Sequence, residues 1–264
     1  MAKTALTVEQ VYRWVDDFAP FETCEGWDNS GLLTGKMANT VEGIYCALDV
    51  SMRVIDDALA QGCNLLLTHH PILFGGRKNL REDDPEGQML VKLVRERINV
   101  ISAHTNFDKA TGGVSEALAK AVGIAKPEKI EGDEDGYLRI GEITPQKLSD
   151  FVTTVRLTLG GAVRAYGDAN QQITKVAVCG GAGGEYASLA LHAGADAYVT
   201  GEMRYHDSFD LAQGGFATLQ AGHDATERIA VRELKALVER QLKRERLTVP
   251  VVLSKVDLFS IPEV

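Results

Sequence analysis

The sequence predicts an α/β protein made of two interlinked domains with mostly parallel sheets. Short apolar runs bounded by glycine, proline or polar turns recur along the chain, as in strands buried on both faces. The sharpest is Leu65-Leu66-Leu67-Thr68-His69-His70-Pro71, which follows Gly62 closely and is stopped by Pro71. A strand over 44–49, a helix from Ser51 to about Ala60 and the strand over 65–68 make a βαβ unit, which implies a parallel pair. The same alternation resumes after a polar, charged stretch near 126–135, the expected hinge between domains. The first domain is therefore expected to comprise 1–125 plus 215–264, and the second 126–214.

Composition narrows the class. The chain has 264 residues, enough for one large or two small domains, with 45% hydrophobic and 25% charged residues. Lys and Arg total 28 against 37 Asp and Glu, a formal charge of −9, which argues against nucleic acid or an anionic membrane as the main partner. No apolar run reaches the ~18 residues of a spanning helix. The first residues, Met1-Ala2-Lys3-Thr4, do not read as a secretion signal. Cys24, Cys46, Cys63 and Cys179 are scattered, with no C-x-x-C pair; free thiols in a reducing cytoplasm are expected.

In chain order, Thr7-Val8-Glu9-Gln10 reads as a capping box opening a helix that ends before Pro20, with Val8, Val11, Tyr12 and Val15 on its apolar face. Glu25-Gly26-Trp27-Asp28-Asn29-Ser30-Gly31 is turn chemistry, and its Trp27 and Asp28 are candidates to border a site. After Thr68 comes a long loop to Pro85, then a helix over 86–97 and a strand over 99–103. That strand runs into His104-Thr105-Asn106-Phe107-Asp108. Gly112 and Gly113 admit a helix that stops at Gly123. A strand over 138–143 follows, then a helix over 146–159 begun by Pro145, and strands over 162–166 and 173–179. Gly180-Gly181-Ala182-Gly183-Gly184 fits neither dinucleotide nor P-loop spacing and reads better as a tight strand-to-helix turn than as a phosphate cradle. A strand over 197–200, a helix over 208–213, a strand over 216–220, a long helix over 224–246 and a last strand over 249–254 complete the chain.

Three strand ends carry metal-competent side chains: His69-His70, His104 with Asp108, and His223 with Glu227. In an open α/β sheet ligands bind at the carboxyl ends of strands. Adjacent side chains on a strand diverge, so His69 and His70 suit two neighbouring ions better than one, and Pro71 holds His70 extended. His223 and Glu227, four apart, share a helix face. Imidazole and carboxylate ligands without thiolate suit Zn, Mn, Fe, Co or Ni. Six candidates exceed the three protein ligands of one catalytic ion, so two divalent ions per chain use the set better. His192, within a helical stretch, reads as structural.

Taken together, Gly26-Trp27-Asp28-Asn29-Ser30-Gly31, Thr68-His69-His70-Pro71, His104-Thr105-Asn106-Phe107-Asp108, Thr200-Gly201-Glu202 with His206, and Gly222-His223 with Glu227 resemble the signature blocks of the Nif-three-like proteins. These are also called dinuclear metal-centre hexameric proteins or GTP cyclohydrolase 1 type 2 homologs. The resemblance covers nearly the full length, with the blocks in family order. It implies that His69 and His223 serve one ion and His70 and Asp108 the other, with Glu227 bridging and His104 beside them. It further implies a toroidal homohexamer with metal sites facing an internal cavity.

The family name implies hydrolytic opening of the GTP imidazole ring with loss of formate. Hydroxide generated at the ions would attack an electrophilic carbon while a histidine, His206 or His104, moves protons. The alternatives are a metal-dependent phosphoester or amide hydrolase and, from another class, a non-enzymatic metal-binding scaffold or metallochaperone. A nucleotide-like substrate needs an anion pocket, for which Arg77, Lys78, Arg204 and the turn over 180–184 are the available material.

Overall fold

The computed structural model describes residues 5–256. From the amino end the elements are α1 (Val8–Phe18), β1 (Gly31–Thr34), β2 (Ile44–Ala47), α2 (Met52–Ala60) and β3 (Leu65–Thr68). Next come α3 (Pro85–Arg95), β4 (Asn99–Ser102), α4 (Thr105–Lys109), α5 (Val114–Ala121), β5 (Arg139–Lys147) and α6 (Leu148–Leu159). The chain continues through β6 (Arg164–Tyr166), β7 (Gln172–Cys179), α7 (Ala187–His192) and β8 (Ala197–Thr200). It finishes with α8 (Tyr205–Gln213), β9 (Ala217–Gln220), α9 (His223–Glu245) and β10 (Val251–Leu253). Two compact units result, Met1–Phe107 with Leu234–Val264, and Asp108–Glu233. The division expected from sequence differs from these units in where 108–125 and 215–233 fall.

The first unit holds a sheet of order β1-β4-β3-β2-β10. β10, β2, β3 and β4 are parallel and only β1 runs against β4. Every residue of β2, β3 and β4 is buried, which is why these runs carry no polar alternation. Tyr45, Leu66, Val100, Val54, Ile55 and Leu93 belong to one core cluster, each apolar side chain contributing about 1.5–3 kcal/mol when fully buried. The capping box forms as read: Thr7 Oγ1 accepts from Gln10 N and Gln10 Oε1 accepts from Thr7 N. Ser51 caps α2 through Val54 N.

The second unit holds the order β5-β7-β8-β9-β6, with β7, β8 and β9 parallel and both edge strands antiparallel. Residues alternate between two cores: Val176, Val178 and Val199 pack with Phe151 and Val155 of α6, whereas Ala177 and Tyr198 pack with Leu138 and Phe216. The helix expected to start at Pro145 begins instead at Leu148, and Pro145 lies in β5. The reason is local: β5 is an edge strand whose register shifts between Glu142 and Gln146, so an irregularity there accommodates a residue without N–H. Two short elements were not anticipated. Gly31–Thr34 reads as the tail of a turn but pairs with β4, and Thr105–Lys109 is too short to show helical periodicity.

Candidate metal centre

In the first unit β3 and β4 end side by side, with Thr68 paired to Ser102 and their hydroxyls 2.7 Å apart. His69 and His70 follow Thr68 and remain in register through amides donated to Ala47 O and Leu48 O. His104 follows β4. The three rings therefore meet: centroids lie 4.9 Å apart for His69 and His70, 5.1 Å for His69 and His104, and 5.5 Å for His70 and His104. One ring nitrogen from each comes within 4.8 Å of the others, a group that can hold a metal ion.

Each Nδ1 faces an oxygen that only accepts. His69 Nδ1 is 2.8 Å from Ala103 O, His70 Nδ1 2.7 Å from Asp49 Oδ1, and His104 Nδ1 2.8 Å from Asp28 Oδ1. In the neutral imidazole this puts the proton on Nδ1 and the lone pair on Nε2, the tautomer a ligating histidine needs. The chemistry of this donor set fits a borderline divalent cation. Asp28 is itself tightly held, accepting from Asn29 N, Ser30 Oγ, Thr105 N and Thr105 Oγ1 besides His104. Burial pushes its carboxyl up, but the bonds from His104 and Thr105 outweigh that and hold it below the usual carboxylate range. Asp28 was flagged by its turn sequence. Asp49 was not, and its signal was its place two residues beyond β2, the strand that pairs with β3.

Asp28→Asn and Asp49→Asn each keep the shape of the side chain but remove the charge that orients a ring. Zinc affinity, measured by competition with a chromogenic chelator, is expected to fall about 10–100-fold in each. Unchanged affinity in both would mean that the rings are held by packing alone.

In the second unit β8 and β9 lead to Gly201 and His223. His223 opens α9, and its Nε2 lies 3.2 Å from Oε2 of Glu227, whose side chain is 4% exposed. Glu202 Oε1 lies 3.5 Å from His223 Nδ1. The glycine turn after β7 is shaped around this pair. Gly181 has φ +60, and a Cβ there would lie 2.3 Å from Glu227 Oε1 and 3.3 Å from His223 Nε2. Gly181 N donates to Thr226 Oγ1 and Gly183 N to Thr200 Oγ1, so two amides of the turn are spent on threonine hydroxyls rather than presented to a phosphate. The tight-turn reading is the one this geometry favours.

Asp108 lies in α4, one turn beyond His104, and is partly buried. His206 occupies the exposed first turn of α8, its ring edge-on to Tyr205 at 5.1 Å, and belongs to none of the potential metal-holding groups among the described residues. His192 Nδ1 lies 2.6 Å from Ser188 O, an intrahelical contact. Of the anion-pocket material, Arg77 is committed to Asp84 at 2.9 Å and to Glu86 at 2.5 Å, and Asp84 also caps α3. Lys78 and Arg204 are exposed. The four cysteines are free, and Cys179 is buried, its thiol pushed up chiefly by that burial.

Fold and donor groups define the class: a two-sheet, mostly parallel α/β protein with imidazole and carboxylate clusters that can hold a metal ion. The model of the Duf34/NIF3 (NGG1p interacting factor 3) family matches residues 6–258, and the chain belongs to that family. Among curated relatives it is similar to the GTP cyclohydrolase 1 type 2 homolog of Clostridium acetobutylicum, 31% identical over 258 residues, covering 95% of this chain and 96% of the relative. The protein of the same name from Clostridium perfringens is 32% identical over 228 residues, covering 84% and 87%. Among solved structures, a Bacillus cereus protein related to NIF3 superposes with a TM-score of 0.91 at 22% identity, covering 99% of this chain and 100% of that one, a likeness of fold. Staphylococcus aureus hypothetical protein SA1388 superposes with a TM-score of 0.89 at 26% identity, covering 98% and 100%. No helix among the described residues is long and apolar enough to cross a membrane.

Proposed function

We propose that the chain binds two divalent metal ions and acts as a metal-dependent hydrolase on a nucleotide-like small molecule. The ligands in this reading are His69, His70, Asp108, His223 and Glu227, with His69 and His223 on one ion, His70 and Asp108 on the other, and Glu227 bridging. The observation that carries it is the shared orientation of the three imidazoles, each with Nδ1 directed at a carbonyl or carboxylate oxygen so that Nε2 offers its lone pair. The names of the relatives supply the nucleotide; each reads "homolog", so the chemistry comes to this chain as a proposal.

Bound ions would supply Lewis acidity and activate water. The chain's own part is to fix the rings through Asp28, Asp49 and Ala103 O, and to move protons. His104, beside His69 and His70, can take a proton at Nε2 while Asp28 at its Nδ1 orients the ring and stabilises the imidazolium that forms. His206, the other proton-transfer candidate, is accessible to a substrate because its turn is exposed.

Protein purified without chelator should carry about two divalent ions per chain by elemental analysis. With GTP as substrate, formate release reads the hydrolase, and His206→Ala is expected to keep the metal while lowering turnover about a hundredfold. Loss of metal in that variant would instead make His206 a ligand or a ligand's support. Full metal occupancy with no turnover on GTP, phosphoesters or amides would make the chain a metal-binding scaffold or metallochaperone. Assembly as a toroidal homohexamer belongs to the same proposal, and light scattering should then give a mass near six chains; a monomer would remove the internal cavity from it.

A further inference from the structure

Trp27 and Phe74 are large apolar side chains left in solvent, 62% and 52% exposed. Both stand against one residue of the imidazole cluster. The Trp27 ring lies edge-on to His104 with centroids 6.1 Å apart and planes at 79°, and the Phe74 ring at 5.4 Å and 81°. Neither position is an accident of a loose loop. Trp27 sits between Gly26 and the five-times-bonded Asp28, and Glu25 N donates to Thr105 Oγ1 at 2.9 Å. Asn29 Nδ2 donates to Leu73 O at 2.7 Å, joining the Trp27 turn to the residue before Phe74. Hydrogen bonds thus tether the residues flanking two exposed aromatic rings that lie beside a metal-competent histidine.

We propose that Trp27 and Phe74 are the walls of a binding site for a planar heteroaromatic ring, presented to the cluster at His104. The inference rests on the metal-dependent reading in that the ring would be the part of the substrate brought to the ions. Stacking suits this ligand class because every nucleobase-like ring offers a π-face to an aromatic side chain. It also needs no anion pocket, which suits a loop whose Arg77 is already paired with Asp84 and Glu86. Ring recognition, not phosphate recognition, sets specificity at this mouth.

The test uses guanosine, a ring without phosphate, against the full chain purified without chelator, with ribose 5-phosphate as the ring-free probe. Trp14 is 4% exposed, so a fluorescence change on titration reports Trp27, and calorimetry gives the affinity. Trp27→Ala and Phe74→Ala are each expected to weaken guanosine binding between about fivefold and a hundredfold, with Trp27→Phe staying within about threefold of the parent. Ribose 5-phosphate should bind far more weakly than guanosine and be indifferent to all three variants. The proposal is overturned if the parent does not bind guanosine. It is overturned equally if the Trp27→Ala/Phe74→Ala protein binds guanosine as the parent does, or if the variants change only the assembly mass. Elemental analysis of the same samples separates the two readings. Ions missing from the parent while ring binding responds as expected would defeat the metal-dependent reading alone. Ions present with unaltered ring binding would defeat the aromatic walls alone.

Discussion

Under the proposed two-ion reading, Glu227→Ala is expected to yield a folded protein that binds at least one divalent ion fewer per chain than the parent. Its carboxylate is among the most enclosed charged groups described, and it stands one helical turn from His223 with 3.2 Å between Oε2 and Nε2. The Gly181 turn gives up its Cβ to make room for that same carboxylate. A buried carboxylate kept beside an imidazole at such expense is what a bridging ligand requires, since an anion shared by two cations recovers its lost hydration. Perturbing groups merely behind a ligand lowers metal affinity about 10–100-fold, so removing a bridge should exceed that range. Elemental analysis of parent and variant, with circular dichroism to verify folding, reads the outcome. Equal ion counts in the two proteins, whether one or two per chain, would remove the bridging role.

Gly201→Ala tests the scaffold and should affect stability and metal together. A Cβ at Gly201 would lie 2.5 Å from Gly181 O, 2.8 Å from His223 Cα and 2.9 Å from Thr226 Oγ1. Two of these are backbone atoms, which cannot rotate away as a side-chain tip can. The three segments are already pinned, Glu202 N donating to Gly181 O and Gly222 N to Gly201 O. The methyl must therefore push the glycine turn and the start of α9 apart, separating Gly181 from the His223–Glu227 pair it is shaped around. Overpacking of this kind costs about 1–3 kcal/mol, and urea denaturation should show it as a lowered midpoint with an unchanged slope. Under the proposed ligand set, the metal content of the protein should fall in parallel. Gly26→Ala, where a Cβ meets nothing within 4 Å, is the matched control. A Gly201→Ala protein with parental midpoint and parental metal would show that the turn yields freely.

The sequence by itself was enough for the strands whose composition follows from complete burial. Leu65–Thr68 and Ala197–Thr200 are found over their apolar runs, because a run that short, bounded by turn residues, suits a strand covered on both faces and is too short for a buried helix. The cap residues Thr7 and Ser51 placed their helices for a similarly local reason, an oxygen three residues before the amide it satisfies. The candidate ligands were legible as well: two histidines at the end of a buried strand, a third after the next strand, and an i, i+4 pair opening a helix. What only the tertiary structure decided is what those side chains meet. Nothing in the text of the chain links Asp49 to His70 or Asp28 to His104, because those bonds cross 21 and 76 residues. Pro145 marks a helix start by local preference, yet an edge strand with a shifted register took it, since solvent on its outer side asks nothing of a missing N–H. The glycines of 180–184 read as a tight turn from sequence alone, but only the fold shows that the turn is shaped around Glu227 and bonded to Thr226 and Thr200. Periodicity and capping are properties of neighbours along the chain. Tautomers, cradles and the space a Cβ would need depend on segments that folding alone brings together.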